Sequence, residues 1–172
     1  MKKMSVFKMI VLCGITGSMA AHASDPVGLN ITGNIIASPC EIKSDSVSKA
    51  VDLGQTIQSS TLQTAGSAST WVPFTIDLVN CPAGTTYATI QFHGTADTDN
   101  PDDAYKNTGT AGNIAVQLQG SSGNQFGDGK SYIGTIANNA YTYNLRARAY
   151  SAKGNATPGT ISAVVTATFT YQ

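Results

Sequence analysis

The sequence is poor in the groups that carry acid–base and metal chemistry, with two histidines and three cysteines in 172 residues. Charged residues make up 12% of the chain, about half the share of an ordinary soluble domain. Neither sign dominates: 10 basic residues stand against 10 acidic ones, so no basic field points to nucleic acid. No apolar run is long enough to cross the roughly 30 Å of a bilayer's hydrocarbon. These shortages exclude a nucleic-acid binder, a polytopic membrane protein and most metalloenzymes. What is present is a hydrophobic content of 41% and 17 glycines. That is enough apolar material for a core, which excludes wholesale disorder. The length suits one domain with an appendage.

The first residues read as an address. Lys2, Lys3 and Lys8 are followed by the short apolar run Met9, Ile10, Val11, Leu12, Cys13, Gly14, Ile15, and then by Ala21-His22-Ala23. Positive start, short apolar stretch and A-x-A site are the order of a secretory signal peptide, expected to be cleaved after Ala23. The exported chain then has 7 basic against 10 acidic residues, a net charge of −3, and His93 as its one histidine. Export to an oxidising compartment also fits the cysteines. Cys13 leaves with the signal, and Cys40 and Cys81 remain as an even pair, which predicts a disulfide between them. On the chain-entropy model a loop of this size contributes about 4 kcal/mol. Their wide spacing, with no nearby histidine, opposes the alternatives of free thiols or a redox pair.

Period-2 alternation predicts strands along the rest of the chain. Phe74, Ile76 and Leu78 alternate with Thr75, Asp77 and Val79. Ala88, Ile90 and Phe92 alternate with Thr89, Gln91 and His93, and Ile114, Val116 and Leu118 with Ala115, Gln117 and Gln119. Tyr141, Tyr143, Leu145 and Ala147 alternate with Thr142, Asn144, Arg146 and Arg148. Such alternation marks half-buried strands. Turn-forming clusters separate them at 80–84, 94–112, 120–129 and 154–159. The expected fold is an all-β antiparallel sandwich in one domain. Residues 56–69 fit no period and leave room for a helical turn.

The two ends stand apart. Near the start, Val27, Leu29, Ile31, Gly33 and Ile35 share one side of an extended chain, with Gly28, Asn30, Thr32 and Asn34 on the other. Burying its four larger apolar side chains would contribute about 6–12 kcal/mol gross, before ordering costs. Three readings compete: an ordinary first strand, a hairpin turning at Gly33-Asn34, or a strand that completes another molecule's sheet. At the other end Ile161, Ala163, Val165, Ala167, Phe169 and Tyr171 alternate with small residues up to Gln172, a strand expected over 161–171. An edge so apolar is an aggregation hazard unless something pairs with it. A spare strand and an open edge in one chain describe head-to-tail assembly, a heterologous contact that does not close.

With these ends, Ser38-Pro39-Cys40, Val51-Asp52-Leu53-Gly54, the run from Phe74 to Cys81-Pro82, Phe92-His93-Gly94-Thr95-Ala96-Asp97, Tyr105-Lys106-Asn107-Thr108-Gly109, Asn113 to Leu118, and Gly159 with penultimate Tyr171 form a pattern. The chain resembles pilins of the chaperone–usher class, and among them the minor tip (adaptor) subunits of type 1 fimbriae. The resemblance implies an immunoglobulin-like sandwich that lacks its final strand. It implies a division into signal peptide 1–23, donor-strand extension 24–36 and pilin domain 37–172. Val27, Leu29, Ile31, Gly33 and Ile35 would then fill a neighbour's groove, with Gly33 at a point of close approach. Gly159, Ile161, Ala163, Val165, Ala167, Phe169 and Tyr171 would flank this subunit's own groove. A periplasmic chaperone would occupy that groove first, gripping the carboxylate of Gln172. An outer-membrane usher would then exchange it for the next subunit's extension. The implied place is an extracellular fimbrium reached through the periplasm, and the implied contribution to adhesion is indirect, through building the fibre. No cofactor, metal or enzymatic activity is implied.

Other readings compete with this one. A repeated shaft subunit shares the same fold and exchange chemistry. A self-complete, lectin-like secreted module is a competitor from another class, and an exported enzyme a third. His93 has no partner histidine and reads as a solvated strand residue. Asp97, Asp99, Asp102 and Asp103 form an acidic loop, but Asp102 and Thr108 stand where an EF-hand needs glycine and glutamate, so the loop reads as solvated. Arg146 and Arg148 share the polar face of one strand and read as a solubilising pair. Sequons at Asn30 and Asn155 are uninformative for a bacterial chain.

Overall fold

The structure is a computed structural model and describes residues 28–172. The predicted signal peptide and Val27 lie outside the described residues. Residues 35–172 form one unit, and the segment preceding them forms a separate one. Nine strands appear among the described residues, in chain order: β1 (Glu41–Ile42), β2 (Ser67–Ala68), β3 (Val72–Val79), β4 (Tyr87–Gly94), β5 (Ala104–Lys106), β6 (Ala115–Gly120), β7 (Ser131–Thr135), β8 (Tyr141–Ser151) and β9 (Val165–Tyr171). One sheet runs β1-β3-β8-β6-β5, with β2 also on β8; the other runs β7-β4-β9, and all pairs are antiparallel.

The alternating stretches become the core strands, with their apolar sides inward. Phe74 lies opposite Leu145, Ile76 opposite Tyr143 and Leu78 opposite Tyr141 across β3 and β8. On β4, Ala88, Ile90 and Phe92 are 0%, 0% and 2% exposed. Pro73 sits within β3 without harm because β1 covers only Val79 and Leu78 on that strand's other side. Elsewhere β3 is an edge, where the missing N–H costs nothing. Residues 56–69 hold a 3₁₀ turn at Ser59–Leu62 and the short β2, and a four-residue helix at Ser44–Val47 precedes them.

Four short strands, β1, β2, β5 and β7, lie inside stretches that read as loops or carry no pattern. β5 has three residues, too few for any period to register. β7 has a reversed pattern: its buried position is Gly134, against the Tyr141 ring, while Ile133 is 61% exposed.

The predicted disulfide joins Cys40 to Cys81, both buried, and ties the entry to β1 to the exit of β3. Beside it the β7–β8 turn uses Asn138 and Asn139, both at positive φ (51° and 59°). That left-handed pair suits the twist of a tight hairpin, and asparagine tolerates it better than other non-glycine residues. Asn139 also donates from Nδ2 to the Cys81 carbonyl at 2.7 Å, and its own carbonyl accepts from Cys81 N at 2.9 Å. We predict that Asn139→Ala costs about 1–3 kcal/mol, from lost turn geometry and a lost hydrogen bond. A lower urea midpoint at unchanged slope would register it; an unchanged midpoint would show that the turn does not anchor Cys81.

Candidate functional site

β9 is an edge strand. Its ladder runs to β4 alone, and among the described residues no strand pairs with its other side. The register places Val165, Ala167, Phe169 and Tyr171 opposite Gly94, Phe92, Ile90 and Ala88. Of the β4 partners Phe92, Ile90 and Ala88 are buried, yet the four β9 residues on the same inward face are only half-buried. Threonines 166, 168 and 170 point to the exposed side. An apolar row left half covered beside a closed row means the core lacks a layer there.

The gap is a cleft of about 1180 Å³. Phe74, Ile76, Leu118 and Ala147 line it from one sheet, and Phe92 with the inward face of β9 from the other. Residues 49–55, which carry no strand, complete the lining together with 157–163. In the first of these stretches Asp52 accepts from Gly54 N (2.9 Å) and from Gln55 Nε2 (2.8 Å), shaping the turn at Gly54, where φ is +110°. These bonds hold the Asp52 carboxyl below its ordinary pKa.

The expected strand over 161–171 is shorter than its alternation suggested. Only Val165–Tyr171 has ladder bonds. Ile161 and Ala163 keep their half-buried positions and line the cleft, but their backbone turns to the loop at 107–111. Gly159 is required there, because a Cβ would collide with the backbone of Thr110 and Ala111. Gln172 is exposed and its carbonyl accepts from Thr86 N and Tyr87 N.

Residues 28–39 form no strand or helix. The hairpin reading therefore finds no strand on either side of Gly33-Asn34. Leu29 and Ile31 are 80% and 81% exposed, and Ile35 is 98% exposed. A Cβ at Gly33 would meet nothing within 4 Å.

The remaining candidates form no reactive site. His93 Nδ1 lies 3.7 Å from Asp128 on a half-exposed strand surface. The acidic loop is not simply solvated. Asp103 is 0% exposed and accepts from Asn100 Nδ2 (2.6 Å), Gln117 Nε2 (2.8 Å) and Gln119 Nε2. The same two glutamines accept from the arginines: Arg148 Nε to Gln117 at 2.6 Å and Arg146 Nη2 to Gln119 at 2.9 Å. Both guanidiniums pack on Trp71, 4.4 and 4.0 Å from the ring centroid. Burial lowers the Arg148 pKa, and the nearby Asp103 charge opposes the shift. The solubilising pair is thus an ordered polar cluster, because β5 and its loop fold Asp103 over the strand face that alternation had marked as solvent.

The fimbrial protein family model matches residues 29–172. The chain belongs to this family. It is 37% identical to Protein FimG of Escherichia coli K12 over 156 residues, covering 90% of this chain and 89% of that protein. It is 32% identical to the type-1 fimbrial protein A chain of Escherichia coli over 185 residues, covering 99% of this chain and all of that one. Among solved structures, the P pilus rod subunit PapA matches with a TM-score of 0.66 at 28% identity, covering 78% of this chain and all of that chain. The protein is a structural fimbrial subunit with the immunoglobulin-like pilin sandwich, and its family implies contact with other fimbrial subunits in a surface fibre. Sequence reasoning missed the buried role of Asp103 and the hydrogen-bonding role of Asn107. The second was present in the Tyr105-Lys106-Asn107-Thr108-Gly109 motif as an asparagine two residues before glycine.

We predict that Asp103→Ala, which strands three amide donors, costs about 2–4 kcal/mol. Chemical denaturation measures it. A cost near zero would mean that solvent or rearranged side chains satisfy Gln117 and Gln119.

Proposed function

We propose that this chain is a minor, adaptor-type subunit of a fimbria, joined to its neighbours by donor-strand exchange. The observation that carries the reading is the free edge of β9 beside a cleft lined by half-buried apolar side chains. A strand laid along that edge would satisfy its open backbone groups and cover Val165, Ala167 and Phe169. Gly159, Ile161 and Ala163 line the same cleft, and Tyr171 and Gln172 follow at the end of the strand.

The segment bearing Val27, Leu29, Ile31, Gly33 and Ile35 supplies such a strand to the next subunit. The high exposure of Leu29, Ile31 and Ile35 supports a donor role. Domain boundaries follow: signal peptide 1–23, donor extension 24–36, pilin domain 37–172. In the periplasm a chaperone shields the cleft and grips the Gln172 carboxylate, and an outer-membrane usher exchanges it for the incoming strand. Burial of the strand's apolar side chains drives the exchange, so neither hydrolysis nor a cofactor enters. The choice of adaptor over shaft rests on the resemblance to tip subunits and on the higher identity to Protein FimG than to the A chain.

Two measurements test this. Adding a peptide of residues 27–36 to the full chain, with its disulfide formed, raises the unfolding temperature by mass action. The rise disappears when the peptide's Gly33 is replaced by a bulky residue. An unfolding temperature indifferent to the peptide would mean a self-complete domain and would overturn donor-strand assembly. For the adaptor role, fibres from cells expressing a tagged chain carry the label at or near one end. Label along the whole fibre would identify a shaft subunit instead.

A further inference from the structure

The wall of the cleft has two parts with different support. From Val165 onward, β9 is pinned by its ladder to β4, and Phe169 packs against Tyr143. Residues 159–164 have no ladder, yet Ile161 and Ala163 line the cleft as fully as β9 does. Their backbone is held by the loop at 107–111. Thr108 N donates to Ser162 O at 2.8 Å, and Ala111 N to Thr160 O at 3.0 Å. Thr110 N donates to Thr160 Oγ1 at 3.0 Å, while Thr160 N donates to Thr110 Oγ1 at 2.9 Å.

The Asn107 amide sits at the centre of this lacing. Its Oδ1 accepts from Gly109 N (2.9 Å) and Ser162 N (2.8 Å). Its Nδ2 donates to Ala111 O (2.9 Å) and Thr160 O (3.3 Å). A side-chain amide offers two acceptor and two donor positions, and all four are filled. Two of the four partners lie on the loop and two on the cleft wall. Gly109 and Gly159 let the two backbones approach, since a Cβ at either would strike the other strand's backbone.

We propose that Asn107 is a positioning residue for the cleft: it fixes residues 160–162 as a preformed rim, so that an entering strand meets a wall already in place. This rests on the acceptor reading of the cleft. Where the rim is ordered only part of the time, capture of the strand falls by the fraction of time the competent wall is absent.

The test uses the full chain with its disulfide formed and a fluorescent peptide of residues 27–36. Asn107→Ala slows peptide capture about tenfold or more and speeds hydrogen exchange at the Ser162 and Gly109 amides, while the Phe169 amide is unchanged. Capture at the wild-type rate would overturn the proposal. Asn107→Asp serves if the alanine chain does not fold. It keeps the two accepted bonds but opposes the Ala111 and Thr160 carbonyls with charge. All four contacts are uncharged groups, so no neighbour among them compensates the carboxylate. Its capture deficit at about pH 7 shrinks toward wild type at about pH 4, as the carboxyl protonates. A deficit that does not change with pH, or no deficit, counts against Asn107 as the positioning group. Failure of the wild-type chain to take up any peptide would overturn the acceptor reading and this proposal with it. Equal capture by wild type and Asn107→Ala would overturn only the Asn107 role.

Discussion

The unpaired backbone along one side of β9 is the constraint on which the proposed assembly depends. A strand offers N–H and C=O groups on both edges, and each needs a partner or water. β4 satisfies one edge of β9, and the other faces a cleft lined by apolar side chains. The cost is double: open polar groups and a half-covered apolar row in the same place. In the proposed assembly both costs would vanish together on addition of a strand of alternating apolar residues. That coupling would favour an extended backbone over an arbitrary apolar ligand.

Elsewhere in the domain, side-chain hydrogen bonds brace the sandwich. The disulfide and the Asn138-Asn139 turn brace the end of the sandwich where β3 leaves its sheet. On the outer face of β6 and β8, Gln117 and Gln119 link Asp103 to the two arginines, whose guanidiniums pack on Trp71. Asn107 does comparable work at the cleft rim, where a ladder is absent. At the disulfide end and at the cleft rim, side-chain amides thus hold backbone that sheet pairing does not reach.

Legibility differed by element for physical reasons. β3, β4, β6 and β8 were readable because each has one face on the core, so period 2 survives in their residues. β9 was readable for the same reason, although its first four predicted residues left the ladder for the 107–111 loop. β5 was too short to show a period, and β7 places a glycine where an apolar side chain would signal burial. Asp103 read as solvent-exposed because its neighbours in sequence are acidic and polar. Its actual surroundings, Gln117 and Gln119, come from a strand more than a dozen residues away.

The sequence by itself determined the strand faces, the cysteine pair and the apolar alternation at both ends, because these depend on local order and period alone. The tertiary structure decided that β9 has one neighbour, where its ladder begins, and that Asp103 and Asn107 are hubs. Those depend on which distant backbones meet, and hydrogen bonds between strands far apart in the chain leave no period in either one.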